Sequence, residues 1–332
     1  MAKLNYAIEL TDNTVIYKAG YGIILSEPSI LVVKEVGNKY EVVCAGNDAL
    51  LMLGGKCPKG AQIVKPIENG VLKNKTMATL MLTEFFKKIN VPLESKNCLL
   101  LHISGISAQE KNDMVNLMYG AGARDVVTLP LCFAGLTQMD INVFNSSSYM
   151  LVNLSNIVDI SVVNNGEILQ GCSIDIGANM LDVAIKEYVY DNYNGDISLF
   201  EAKNIRQEIA TLLANDVSNI AFLADDINGF GTINVVLESQ EIRGLLTEVF
   251  NKICGAIEGV LSICPASVVE DIKRNGMYLC GELCTITGVE RYMKGRLSVP
   301  VFADSEPNNT IIMGGGAMLN NPQLLNELNL KK

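Results

Sequence analysis

Tyr6-Ala-Ile-Glu-Leu10, Thr11-Asp12-Asn13, Thr14-Val-Ile-Tyr17, then Ala19-Gly20 and Gly22 ahead of Ile23-Ile-Leu25 read as strand, turn, strand, turn, strand. About 143 residues later the order returns. Tyr149-Met-Leu-Val-Asn-Leu154 is a strand, Ser155-Asn156 a polar turn, Ile157 to Val163 a strand, and Asn164-Asn165-Gly166 a hairpin turn before Glu167-Ile-Leu169. Each copy is a β-meander followed by helices and buried strands.

Downstream of the first copy, Asn97 to Ile103 is an apolar run of buried-strand length. Ser107-Ala-Gln-Glu110 forms a capping box ahead of Met114, Val115, Leu117 and Met118, which share one helical face, and Gly120 is the stop. Downstream of the second copy, stripes at Leu181, Ile185, Tyr188 and at Ile205, Ile209, Leu212 predict helices; the longest runs from Ile242 to Val260 and ends before Pro265. Ser267-Val-Val-Glu270 is expected to cap a short helix that stops near Asn275-Gly276, before the strand Met277-Tyr-Leu-Cys280. Helices on a sheet that opens with a meander, made twice, give two α/β units with a ligand cleft expected between them.

Composition narrows the function classes. At 332 residues the chain has room for two ordinary domains, and 49% hydrophobic with 19% charged residues sets it apart from disordered chains. Twenty-six basic against 36 acidic residues give a net charge of −10, so a nucleic acid would be repelled at long range. The nine cysteines are an odd number, and several lie in apolar runs such as Asn97-Cys98-Leu99-Leu100-Leu101, where a thiol behaves as a small hydrophobe; a reducing cytoplasm is expected. Met1-Ala-Lys-Leu-Asn leads at once into a strand, so no export signal is read there. The most apolar uncharged stretch, Val126 to Met139, is too short for a bilayer and is broken by Pro130 and Gly135.

Longer segments carry a family resemblance. Gly22-Ile-Ile-Leu-Ser-Glu27-Pro28-Ser-Ile-Leu-Val-Val33, Gly46-Asn-Asp-Ala-Leu-Leu-Met-Leu-Gly54 and Val64-Lys-Pro66-Ile-Glu-Asn-Gly70-Val-Leu72 resemble the first third of MreB, the bacterial actin. The likeness continues through Gly120-Ala-Gly-Ala-Arg-Asp125, Leu181 to Tyr188, Glu201 to Ile209 and the strand at Gly276, and so spans essentially the whole chain. It implies an α/β chain with an actin-like fold, two ribonuclease-H-like domains flanking an interdomain cleft. Domain I would cover residues 1–147 plus 310–332, with a smaller lobe at about 34–70. Domain II would cover 148–309, with a smaller lobe at about 181–242. It also implies filaments, a role in cell shape, and ATP with magnesium as the family's cofactor.

The resemblance breaks at the nucleotide site it implies. In the family the tips of both meander hairpins cradle phosphate with backbone N–H groups, and glycine lets the backbone approach the anion. The first tip here is Glu9-Leu10-Thr11-Asp12-Asn13-Thr14, one residue short and without glycine, with Asp12 directed at the phosphate position. The second expects an Asp, glycines and a Thr pair but reads Asn153-Leu154-Ser155-Asn156-Ile157-Val158. The third, a triple-glycine turn near adenosine and phosphates, reads Gly281-Glu282-Leu283. The cleft positions are therefore Thr11, Asp12, Asn13, Asn153, Ser155, Asn156, Gly281 and Glu282, with Glu208 matching the acidic residue of the adenosine pocket.

The hydrolytic glutamate of the family has no counterpart in Thr128-Leu129-Pro130-Leu131-Cys132-Phe133, so no catalytic residue is assigned. A positioned acid–base group contributes typically 10²–10⁴-fold, and efficient hydrolysis is not expected. Losing two or three charge-assisted hydrogen bonds at about 1.5–3 kcal/mol each removes roughly 3–9 kcal/mol, or on the order of 10²–10⁶ in dissociation constant. Weak or absent nucleotide binding is the expectation, with no cofactor assigned.

Other conspicuous features have bland readings. Gly314-Gly315-Gly316 is read as close helix packing rather than a phosphate loop. Cys280 and Cys284 lack the second pair a zinc site needs, and no metal is assigned. His102, the one histidine, ends an apolar strand and is read as core. Asp225-Asp226, Glu238 and Glu241 are read as solvated. The family's membrane loop is matched by Asn90-Val91-Pro92-Leu93-Glu94, whose two aliphatic side chains give a monomer weak lipid affinity at most. Three functions are compatible with these residues. The first is a cytoplasmic, membrane-peripheral scaffold that associates with itself, an MreB-like paralogue or morphogenesis proteins. The second is a divergent ATPase in which Asp12 or Asp159 assists the metal, and the third a non-polymerising adapter for a membrane complex.

Overall fold

The computed structural model of the chain describes residues 3–37, 39–53, 57–89, 95–229 and 231–330. The membrane-loop stretch 90–94 and Gly54 lie outside these residues. Two compact units emerge, one of Met1–Asn145, Asn164–Glu167 and Asn309–Lys332, the other of Ser146–Val163 and Ile168–Asn308.

The first unit begins with β1 (Tyr6–Leu10), β2 (Asn13–Lys18) and β3 (Gly22–Pro28), an antiparallel meander. β4 (Leu31–Val36), β5 (Lys39–Ala45), α1 (Asn47–Leu53) and β6 (Ala61–Val64) form a small outlying layer with strand order β5-β4-β6. β7 (Ile67–Glu68) and β8 (Val71–Leu72) are a ribbon whose turn residues Asn69 and Gly70 both have positive φ, the backbone that an Asn-Gly hairpin supplies without strain. Then follow α2 (Lys75–Lys88), β9 (Asn97–His102), α3 (Ala108–Gly120), β10 (Asp125–Pro130) and α4 (Leu131–Gln138).

β9 joins the meander parallel to β1, and β10 joins parallel to β9, giving the order β10-β9-β1-β2-β3. Alternation along the strands puts Ile8, Leu10, Cys98 and Leu100 on one face, where they pack with Met81, Phe85, Met114 and Leu117 of α2 and α3. The predicted capping box is present, with the Ser107 hydroxyl accepting from the Glu110 N–H and the Glu110 carboxylate from the Ser107 N–H.

The second unit repeats the design. β11 (Tyr149–Leu154), β12 (Val158–Asn164) and β13 (Glu167–Ile174) are the meander, followed by α5 (Ala178–Tyr193), β14 (Gly195–Asp196), α6 (Leu199–Ile209), β15 (Asn219–Asp226), β16 (Thr232–Glu238), α7 (Ser239–Ser262), α8 (Ala266–Asn275), β17 (Met277–Cys280), a 3-10 turn at Glu282–Thr285, α9 (Val289–Leu297) and β18 (Val301–Ala303). The order β13-β12-β11-β17-β18, with both added strands parallel, matches the first sheet strand for strand. Two clusters form its core, one around Val152, Ile160, Phe250 and Ile253, the other around Ile185, Ile205, Val235 and Ile242 in the layer built on β14-β15-β16. α5 and α7 supply residues to both.

The chain then returns to the first unit as α10 (Thr310–Leu319) and α11 (Pro322–Leu330). The three glycines of α10 have the reason expected of them. A Cβ on Gly314 would lie 1.9 Å from the Ala134 carbonyl oxygen of α4, and on Gly316 2.5 Å from the Tyr17 ring.

Three details depart from the pattern reading. Ser267 is inside the first turn of α8 and Pro265 occupies the N-cap, because its extended ψ starts the helix two residues earlier. Leu212 lies beyond α6, since the chain turns extended at Ala210 and the Leu212 N–H is drawn to the Thr287 carbonyl, beside a Thr211–Thr287 bridge. Glu241 is half-buried rather than solvated, accepting from the hydroxyls of Tyr188 at 3.2 Å and Tyr193 at 2.7 Å. Among the described residues, no helix is long and apolar enough to cross a membrane.

Candidate functional site

The residues singled out from the sequence fall into two groups, one on each unit. In the first unit the β1–β2 tip is a tight turn closed on itself. The Thr11 hydroxyl donates to the Asn13 carbonyl at 3.1 Å, and the Asn13 side-chain amide donates to Ser26 Oγ at 3.2 Å. Asp12 is engaged through both its polar ends: its carboxylate accepts from the Asn69 N–H at 3.0 Å, and its carbonyl from the Ser29 N–H at 2.8 Å. The carboxylate thus fastens the hairpin tip to the β7–β8 turn.

Glu9 precedes this tip on β1, flanked in register by Val15 and Leu101. Burial pushes its carboxyl up from the ordinary 4.5 to about 7, so near neutrality it is divided between its charged and neutral forms. β10 passes into α4 at Pro130 and Leu131, both buried, so aliphatic side chains stand at the junction where the resemblance expects a carboxylate.

In the second unit the β11–β12 tip is engaged in the same manner. Asn153 Oδ1 accepts from the Ser155 hydroxyl at 3.0 Å and faces the Cys280 thiol at 3.7 Å. The Ser155 carbonyl accepts from the Ala178 N–H at 3.1 Å, at the start of α5. Gly177 permits this approach: a Cβ there would lie 2.1 Å from the Ser155 carbonyl oxygen and 2.3 Å from that of Asn156. The tip therefore turns carbonyl groups toward α5, capping that helix. Asp159, opposite Asn153, is buried and accepts from the hydroxyls of Ser173 and Ser161.

Gly281 has φ +94°, and a Cβ on it would lie 2.6 Å from both Asn153 Oδ1 and the Leu154 carbonyl oxygen. Glycine is required at this position by its positive φ and by packing against β11. Glu282, the next residue, joins an ion network. Its carboxylate lies 3.4 Å from Lys203 Nζ and 3.3 Å from an Arg206 guanidinium nitrogen, while Arg206 makes two further bonds to Asp182 at 2.6 and 3.3 Å. Arg206 is 1% exposed. Burial works against its charge, but the hydrogen bond to Asp182 and the charge of Glu282 outweigh that and hold its pKa above the usual range. Glu208 lies on the exposed face of the same helix.

In the second unit Asn153, Ser155, Asn156 and Gly281 are thus brought together, with Glu282 beside them in the network of α5 and α6; in the first unit Thr11, Asp12 and Asn13 cluster with Asn69. Sequence reasoning missed Asp182, Lys203, Arg206, Asn69 and Gly177. The one available signal was the opposite charge of Asp182 and Arg206 on successive helical stripes. The cysteines at 280 and 284 are in contact through the Cys284 thiol and the Cys280 carbonyl at 3.2 Å, and burial pushes the Cys284 thiol upward, away from the thiolate a metal needs. His102 Nδ1 is 2.8 Å from the Ile103 carbonyl oxygen, in the core. An open groove of about 610 Å³ on the second unit, between Leu212–Asn215 and α9, is lined by none of the site residues.

Comparison with known proteins places the chain in a family. The family model described as MreB/Mbl protein matches residues 4–327. Cell shape-determining protein MreB of Escherichia coli is 27% identical over 316 residues, covering 93% of this chain and 91% of that protein. Cell shape-determining protein Mbl of Bacillus subtilis is 25% identical over 315 residues, covering 94% of each. Among solved structures, MreB5 of Spiroplasma citri bound to ADP superposes with a TM-score of 0.88 at 22% identity, over 98% of this chain and 99% of that one. The MamK double helical filament gives 0.77 at 16% identity, over 95% and 98%. These structures share the actin-like α/β fold with it. On the match of the family model over nearly its whole length, the chain belongs to the MreB/Mbl family.

Proposed function

We propose that this chain is a cytoskeletal scaffold subunit that acts in cell shape, by associating with itself or with an MreB-like paralogue, without depending on ATP hydrolysis. Relatives described as cell shape-determining proteins, and the MamK filament of the same fold, support the cytoskeletal part. The reading places it in the cytoplasm, peripheral to the membrane, with morphogenesis proteins as further partners.

One observation carries the independence from nucleotide: at all three turns matched to the family's nucleotide contacts, the polar side chain is already engaged by the chain's own groups. Asp12 holds Asn69, Asn153 holds Ser155, and Glu282 holds Lys203 and Arg206. Two of those three groups are carboxylates, which repel phosphate. The residues present therefore fit a magnesium triphosphate poorly. MreB5 has been solved with ADP, so the fold itself accepts a nucleotide, and on this reading it is these side chains that set the present chain apart.

Sedimentation of the purified chain with and without ATP and magnesium tests the scaffold, and calorimetric titration with the same pair tests the site. Pelleting that ignores nucleotide, with no heat at micromolar ATP, is expected. Micromolar binding, or pelleting only with ATP, overturns the reading in favour of a divergent ATPase.

A further inference from the structure

We propose that Glu282 is a built-in anion: its carboxylate takes, against Lys203 and Arg206, the place of a ligand's negative group and so closes this turn of the second unit to nucleoside polyphosphates. The proposal rests on the nucleotide-independent reading and names the residue responsible for the exclusion.

Three observations lead to it. Lys203 and Arg206 are three residues apart on α6 and so share one face of the helix, and a single carboxylate oxygen of Glu282 lies within 3.4 Å of both. The backbone that carries that side chain is held in place, because Gly281 is pressed against Asn153 and Leu154 at φ +94° and its N–H donates to the Pro307 carbonyl at 2.8 Å. Finally, the cluster is balanced: Lys203 and Arg206 face Asp182 and Glu282, so an incoming phosphate finds two cations already matched by two carboxylates, with a half-buried like charge in its path. A buried guanidinium needs an anionic partner. Where a glycine at this position would leave room for a ligand to provide part of that charge, the glutamate provides it permanently.

The experiment compares thermal unfolding of the full chain, Glu282→Gln, and Glu282→Gln with Lys203→Ala, each alone and with millimolar pyrophosphate or magnesium ADP. Wild type is expected to keep its midpoint in every buffer. Glu282→Gln should fall by about 2–4 °C and recover at least half of that with pyrophosphate, and Lys203→Ala should remove the recovery. If wild type is itself stabilised by magnesium ADP, the nucleotide-independent reading fails together with the proposal. If wild type ignores both anions and Glu282→Gln shows no loss, or a loss that pyrophosphate does not repair, the reading stands and the built-in anion is overturned. A Glu282→Gln chain too unstable to fold is replaced by Glu282→Asp, whose shorter carboxylate should give a smaller loss and a smaller recovery; their absence also overturns it.

Discussion

Glu9 is a half-buried acid on the central strand of the first sheet, and its titration is predicted to be visible in the stability of the chain. Its folded pKa of about 7 lies above the ordinary 4.5, so the fold holds the proton more tightly than the unfolded chain does. Below about pH 4.5 both states are protonated and nothing is lost; as pH rises through 7 the folded state loses up to about 3 kcal/mol. Glu9→Gln should flatten this part of the pH profile and raise stability at about pH 8, measured by urea unfolding at several pH values. A second residue-scale prediction contrasts glycines. Gly314→Ala drives a methyl into the Ala134 carbonyl and should cost about 1–3 kcal/mol despite the better helix propensity of alanine. Gly255→Ala in α7 meets nothing within 4 Å and should stabilise by about 0.4–1 kcal/mol, read from the same unfolding curves.

At the scale of elements, α5 and α6 are tied by the buried Asp182–Arg206 pair. Removing Asp182 leaves the buried Arg206 with only its longer contact to Glu282, so Asp182→Ala should destabilise by up to about 3–5 kcal/mol, whereas an exposed pair such as Lys252–Glu248 should contribute little. A double-mutant cycle with Arg206→Met, followed by thermal unfolding, separates the pair's coupling from the cost of the stranded charge. These elements also mark the limit of what the sequence discloses. The strands were legible because alternation and turn residues are local: Asn165-Gly166 specifies its hairpin wherever it occurs, and Ser107 with Glu110 specifies a helix start. Ser267 imitated such a start, but Pro265 two residues earlier had already set the backbone. The absent glycines of the two tips were equally legible, because a missing residue type needs no partner to be read. The tertiary contacts made at the matched turns were not. Asp12 meets Asn69 across 57 residues and Arg206 meets Glu282 across 76, and only the tertiary fold brings them together.

For the whole molecule, the net charge of −10 sets the conditions under which copies can meet. Each approaching subunit carries the same sign, and the repulsion extends over a Debye length that falls from about 30 Å at 0.01 M salt to about 8 Å at 0.15 M. If assembly has no nucleotide trigger, screening is the variable left to control it. Pelleted protein should therefore rise from low to physiological potassium chloride, and magnesium chloride should act at lower concentration, to the same extent with or without ATP. The alternative gives the opposite pattern. A subunit switched by nucleotide should assemble with magnesium ATP even at low salt and disperse as the ATP is consumed, while potassium chloride alone does little. Sedimentation across a grid of salt and ATP concentrations separates the two, because screening acts on the whole charge of the chain and a bound nucleotide acts on one site per copy.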